Sequence, residues 1–340
     1  MNSSAPANNP VRPSRVRRAL RWTMPVLLLA VAVGLWQRER LWVWYCAERL
    51  ERAADDRRGE WAEHLAAAGE PAIPTLLQLL RHDDPGVCLA AKSAIDTVTA
   101  NWPKDDARRL TFAQRFVEAE PRFSTPGRGA ALELLPSVMA CGDAEVATKV
   151  KGMVATAAKS QSIDVRVQAV AAALRPEVDA LEMIVPLIAD PDVVVRRAAV
   201  VALGAVRDGA TTVLGDDELL RCLHDSDPEV RQLCELGLRS RGRTPGDIRL
   251  GKRYTAPNAA ERQKLLIDLA DEDDLDVTVW LERLTADPDP AVRAGAARVA
   301  FDRRADLRDR LAQMSKSDPD GTVRRIAGYY SQKLANTSSR

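Results

Sequence analysis

Few residues in this chain have the types and spacing to do chemistry together. Of 340 residues only three are histidine, at His64, His82 and His224. Glu63-His64 runs in the opposite order to a His-Glu ligand pair, and neither His82 nor His224 precedes a glutamate. A metal or general-base centre needs imidazoles and carboxylates gathered in one place, which these three do not provide. The five cysteines, Cys46, Cys88, Cys141, Cys222 and Cys234, contain no C-x-x-C pair and hence no zinc-ligand spacing. Cys88, Cys222 and Cys234 fall among apolar residues and read as small core side chains. Cys46 sits beside an apolar stretch, where lipidation competes with simple burial and burial is preferred.

The longer catalytic motifs are absent: the sequence has no G-x-G-x-x-G, no Walker pattern and no G-x-S-x-G. Asp271-Glu272-Asp273-Asp274 with Asp276 lacks the glycine and distant glutamate of a calcium loop and reads as a solvated turn. The basic run Arg239, Arg241, Arg243, Arg249, Lys252 and Arg253 suits an acidic partner or a solvated loop, and the second is preferred. The expectation is a chain with no catalytic residues, no cofactor and no metal, more a binding protein than an enzyme.

Charge is unevenly placed. Residues 1–45 hold seven arginines against the single acid Glu39, leaving 42 basic and 47 acidic residues beyond, a net of −5. Such a balance disfavours nucleic acid, which is bound through a basic face. Residues 1–20 are a polar, proline-containing, basic leader with too little apolar surface to offset the entropy of ordering. Trp22–Trp36, WTMPVLLLAVAVGLW, is uncharged for fifteen residues. At about 1.5 Å rise per residue it covers roughly 22 Å, enough to span a bilayer if Arg21 and Arg38 reach the headgroups. Trp22, Trp36, Trp42 and Trp44 would then sit at the interfaces. The expected division is a leader over 1–20, a single transmembrane and juxtamembrane helix over 21–45, and a repeat domain over 46–340. The arginines before the apolar segment place the N-terminus in the cytoplasm and the repeat domain outside it. A signal peptide cleaved at Ala30-Val31-Ala32 is the alternative.

The rest of the chain repeats itself. Asp192-Val193-Val194-Val195-Arg196, Asp227-Pro228-Glu229-Val230-Arg231, Asp289-Pro290-Ala291-Val292-Arg293 and Asp320-Gly321-Thr322-Val323-Arg324 each precede an apolar run. Ser162-Ile163-Asp164-Val165-Arg166 is a looser copy, and Asp84-Pro85-Gly86-Val87 continues with Cys88 in the arginine place. The starts from 162 to 320 are 30, 35, 62 and 31 residues apart, so a worn unit is expected near 258, where Asn258-Ala259-Ala260-Glu261-Arg262 stands. Another is expected at Thr125-Pro126-Gly127, with Gly129 in the arginine place, and a partial one over 59–80, about nine in all. A period in the thirties with two helical stretches per unit predicts an all-α solenoid of about nine helix pairs.

Each letter of the motif has a mechanical reason. The aspartate accepts hydrogen bonds from the unpaired N–H groups of a helix start, worth about 1 kcal/mol. Proline next gives up an N–H that had no partner. Valine opens the apolar stripe. Gly69 and Gly204 are expected to end helices in left-handed turns, and His82 and His224 to face the carboxyl end of the helices they follow.

At these residues the chain resembles the HEAT-repeat family, in its phycobilisome-lyase-like variant, over roughly residues 55–335. The resemblance implies stacked antiparallel helix pairs in a curved superhelix, with the second helices on the concave side. It also implies capping aspartates bonded to arginines of neighbouring repeats. Cys88, Gly129 and Glu261 depart from the pattern. Some proteins of this kind are di-iron hydroxylases, but their paired His-Glu ligands are missing here. The expected function is a membrane-anchored scaffold that binds a protein or peptide on its concave face. An enzyme or enzyme accessory of the bilin-lyase or hydroxylase kind and a nucleic-acid binder are the alternatives.

Overall fold

The recurring motif opens helices for the reason its letters suggest. Asp84, Asp227 and Asp289 hold extended backbone at N-cap positions, and their carboxylates accept the N–H groups of Gly86, Val230, and Ala291 with Val292. Pro85, Pro228 and Pro290 follow at the first helical position, where no N–H is needed. Asp192 accepts from Val194 and Val195, and Asp320 from Thr322 and Val323.

The computed structural model describes residues 38–103, 105–204, 213–271 and 277–337. Among the described residues there are helices and turns and no β-strand. None of the described helices is long and apolar enough to cross a membrane. The basic leader, the apolar segment Trp22–Trp36 and the acidic run over 272–276 lie outside the described residues.

The chain divides into two compact units, Met1–Met153 and Val154–Arg340. In the first, Arg38–Arg52 pairs with Asp55–Ala67, Ile73–Leu79 with Pro85–Ala100, and Ala107–Ala119 with Thr125–Met139. The second members of these pairs lie side by side in chain order. Their core is aliphatic, with Leu50, Leu65, Leu76, Ile95 and Leu134 fully buried. An aromatic run crosses it, in which Trp102, Phe112, Phe116 and Phe123 follow one another at ring-centroid distances of 5.7–5.9 Å. Gly127 is required where Thr125–Met139 begins, because a Cβ there would lie 1.7 Å from the Leu80 carbonyl oxygen.

Ala144–Ala157 runs across the division, and Ile163–Ala173 follows it. In the second unit, the 3₁₀ helix Leu181–Ala189 pairs with Val193–Gly204, and Asp216–Cys222 with Pro228–Ser240. Then Pro245–Tyr254 pairs with Ala259–Asp271, Val277–Leu284 with Pro290–Asp302, and Arg308–Ser317 with Gly321–Thr337. Ile163–Ala173, Val193–Gly204 and Pro228–Ser240 pack in succession, as do Ala259–Asp271, Pro290–Asp302 and Gly321–Thr337. Pro245–Tyr254 packs against both Pro228–Ser240 and Ala259–Asp271.

Three expectations need correction. The helix Arg38–Arg52 runs across the expected boundary at 45 and buries Val43, Cys46, Ala47 and Leu50, so residues 38–45 belong to the first helix pair and the Cys46 thiol is enclosed. The helix near 125 is capped one residue earlier, by Ser124, whose hydroxyl accepts the Gly127 N–H. Arg128, and not Gly129, therefore stands in the arginine place. Gly204 is the last described residue of its helix but does not have the left-handed φ expected there, and it serves packing instead. A Cβ on Gly237 would meet the Gly204 Cα and carbonyl oxygen at 3.2 Å, so the two glycines let their helices approach closely. Gly69, by contrast, has φ of 70° after Asp55–Ala67, in the left-handed region that favours glycine.

Candidate functional site: an arginine ladder and an exposed row

In the second unit the repeat arginine is a rivet between successive pairs. Nη1 of Arg166 donates to the Ser160 and Gln161 carbonyls at 2.9 and 3.2 Å, anchoring the side chain to its own helix start. Its other edge donates from Nε and Nη2 to both oxygens of Asp190, at 2.8 and 2.9 Å. Arg196 repeats this with the 190 and 191 carbonyls and Asp225. Arg262 does so with the 256 and 257 carbonyls and Asp287, and Arg293 with the 287 and 288 carbonyls and Asp318. The carboxylate then accepts the N–H two residues on, at Asp192, Asp227, Asp289 and Asp320, over 2.8–2.9 Å. Each aspartate is thus cradled by three donors, two of them charged. Arg293 and Asp318 are each 8% exposed, so water contributes little to either.

The ladder aspartates Asp190, Asp225, Asp287 and Asp318 are not the capping residues. Each lies two residues before its cap, and the recurring spacing of acids at 190 and 192, 225 and 227, 287 and 289, and 318 and 320 is the sequence signal for them. Among the described residues an arginine from the preceding pair holds the cap itself at two places, where Arg58 holds Asp84 and Arg197 holds Asp227, while Arg108 holds the cap Asp106 of its own helix. The hydrogen bond from Arg197, followed by the Val230 N–H, lowers the Asp227 carboxyl to about 2. The Arg293 hydrogen bond holds Asp318 below the usual carboxylate range. Burial pushes Asp225 up, but the Arg196 bonds and the Asp227 N–H outweigh it and leave it lowered.

Two arginines of the series keep the anchor and lack the carboxylate. Arg231 donates from Nη1 to the Asp225 and Ser226 carbonyls, and Arg324 to those of Asp318 and Pro319. Arg324 belongs to the last helix pair. For Arg231 the ladder position of the next pair is Ala256. In the first unit the place is filled differently: the Cys88 thiol donates to the His82 carbonyl at 3.1 Å, the same six-residue step back that the arginines take. Arg128 stays within its own pair, donating to the Pro121 carbonyl at 3.4 Å and facing Glu120 at 3.7 Å.

The histidines are structural joints. His82 Nδ1 accepts the Asp84 N–H at 3.0 Å. His224 Nε2 lies 2.8 Å from the Lys252 carbonyl and 3.2 Å from the Thr255 hydroxyl, so it meets the end of Pro245–Tyr254 and not of its own helix. His64 packs among Trp42 and Trp61. Among the described residues no three His, Cys, Asp or Glu side chains are grouped to hold a metal ion.

The basic run is also largely committed, which corrects its reading as a solvated loop. Arg241 donates to the Leu203, Gly204 and Leu214 carbonyls and to Asp216, tying a helix end to the next helix start. Arg243 also pairs with Asp216, Arg239 with Glu235, and Arg253 with Asp268.

A different feature recurs on the outer face of the second helices. Val201, Leu236, Ile267 and Tyr329 each stand nine residues after a cap, at Asp192, Asp227, Asn258 and Asp320, and are 55%, 51%, 62% and 53% exposed. The same position after Asp289 is Arg298, also exposed. Sequence reading singled out none of these, because an apolar residue in a repeat looks like core until its helix is phased. Residues 150–239, which include Arg166, Arg196 and Arg231, match the family model for HEAT repeats. No curated protein matches the chain.

Proposed function

We propose that the chain is a membrane-tethered repeat scaffold that holds a protein or peptide partner along its second helices. The observation that carries this reading is the exposed row Val201, Leu236, Ile267 and Tyr329. Stability alone gives no reason to hold large apolar side chains in water at one position of four repeats, whereas a partner surface does. Helices already packed together, as those bearing Val201 and Leu236 are, lose little ordering entropy on binding, so many modest contacts add up. HEAT repeats commonly mediate protein interactions, in keeping with the match over residues 150–239.

The tether rests on the sequence of residues 22–36 and is supported by its neighbours. Leu41, Trp42 and Trp44, at the start of Arg38–Arg52, are 55%, 47% and 62% exposed, and tryptophan favours the membrane interface. In this reading the N-terminus is cytoplasmic and the repeats lie across the membrane.

Glutamate at Val201, Leu236 and Ile267 together tests the binding face. Partner recovery with the full chain from its own membranes is expected to fall at least tenfold with unfolding temperature kept; undiminished recovery contradicts the reading. Alkaline extraction and protease protection test the tether. A chain released at high pH, or one whose mature N-terminus follows Ala32, contradicts it.

A further inference from the structure

The ladder of the second unit has one open rung inside it. Arg231 is anchored as its counterparts are, by Nη1 on the carbonyls five and six residues back, at 3.0 and 2.7 Å. In Arg166, Arg196, Arg262 and Arg293 that anchor leaves Nε and Nη2 on a carboxylate. In Arg231 these two donors have no acceptor among the described residues, because Ala256 fills the aspartate place. The third donor of the cradle is free as well. The N–H of the cap residue Asn258 has no acceptor among the described residues, where those of Asp192, Asp227, Asp289 and Asp320 each meet the ladder carboxylate.

The two halves of the open rung are held near each other. His224 adjoins Asp225, whose carbonyl anchors Arg231, and its ring reaches the hydroxyl of Thr255, which adjoins Ala256. That hydroxyl also donates to the Leu220 carbonyl at 3.1 Å. Nearby acids are already engaged: Asp225 by Arg196, Asp227 and Glu229 by Arg197, Glu235 by Arg239, and Asp268 by Arg253. Arg231 lines a groove of about 420 Å³ with Gln232, Glu235, Arg249 and Lys252. With Glu235 paired to Arg239, Arg231 and Lys252 bring positive charge to it.

We propose that Arg231 binds a carboxylate side chain from an acidic segment of the partner protein, which completes the rung that Ala256 leaves open. The ligand class is set by the fold itself, since four arginines in the same pose each hold a carboxylate. The inference rests on the scaffold reading and names the charge of the partner. Lys252 beside the fork favours further acids in the same segment.

The test uses the full chain in detergent and a fluorescein-labelled hexaglutamate peptide, read by anisotropy. The wild-type chain is expected to bind it. Arg231→Gln is expected to weaken binding about tenfold, the size of a charge-assisted pair. Ala256→Asp supplies the carboxylate from within, and is expected to weaken binding as much while raising the unfolding temperature. Because that variant folds more firmly, its loss of binding is not a folding defect. Lys316→Gln, off the exposed row and on a different helix, is expected to change nothing. No binding by the wild-type chain, equal losses in Arg231→Gln and Lys316→Gln, or an unaffected Ala256→Asp overturns the proposal. So does a phosphoserine peptide held through Arg231 more tightly than hexaglutamate. If the partner row on the second helices still captures its partner in Arg231→Gln without loss, the scaffold reading stands and this inference alone falls.

Discussion

The two units of this chain join successive helix pairs by different means. In the first, the joints are mainly apolar and close, through the run from Trp102 to Phe123 and the contact of Gly127 with Leu80, with Arg58 on Asp84 and Lys92 on Glu133 as charged clasps and the Ser124 hydroxyl on the His82 carbonyl. In the second, arginine forks carry the joints, and the core between them is alanine, valine and leucine. The difference shows that the repeat motif has two separable parts. The aspartate cap sets where a helix begins, and works in both units. The arginine sets how firmly one pair is held to the next, and Cys88 can replace its anchor while giving up its reach.

This comparison can be broken by substitution. Arg293→Ala leaves Asp318 buried without its cation, and is expected to cost about 3–5 kcal/mol in denaturant unfolding of the full chain. In the first unit the matching change, Cys88→Ala, is expected to cost no more than about 1 kcal/mol. Phe116→Ala there is expected to cost about 3–5 kcal/mol, since a fully buried aromatic is lost from the run. If Cys88→Ala proves as damaging as Arg293→Ala, the two units are not built differently.

Smaller effects sharpen the contrast. Gly127→Ala forces a methyl against the Leu80 carbonyl and is expected to cost about 1–3 kcal/mol by thermal unfolding. Arg231→Ala removes an anchor without orphaning a carboxylate, and is expected to cost about 1 kcal/mol, well below Arg293→Ala. Acid response comes last. Asp227, Asp225 and Asp318 have folded pKa values below the unfolded carboxylate value of about 3.9, so their stabilisation is complete above it. It is lost as pH falls through the folded values, toward about 2 for Asp227. The second unit is therefore expected to hold its far-ultraviolet signal from pH 7 to about 5 and weaken below about 4.

Much of this architecture is legible in the residues. Asp227-Pro228 and Asp289-Pro290 announce their helices because capping is local chemistry, decided within three residues of the cap. The partners of Arg166 and Arg293 are harder to read, since Asp190 and Asp318 lie 24 and 25 residues away. Only the recurring acid two places before the cap points to them. The sequence alone does not decide between Ser124 and Thr125 as the cap, because serine and threonine stand side by side and cap alike. Gly204 misled for a related reason: glycine serves both a left-handed turn and a close helix contact, and only the neighbouring Gly237 tells which. The exposed row needed helix phase, which a run rich in alanine and valine does not fix.

The central claim is that the row on the second helices is where a partner lies. A photo-reactive phenylalanine analogue at Leu236 or Ile267 of the full chain, irradiated in the native membrane, is expected to give one discrete protein adduct from both positions. The same analogue at exposed Lys316, on Arg308–Ser317, is expected to give none. Adducts of equal yield at Lys316, or no adduct from either row position, would contradict the account.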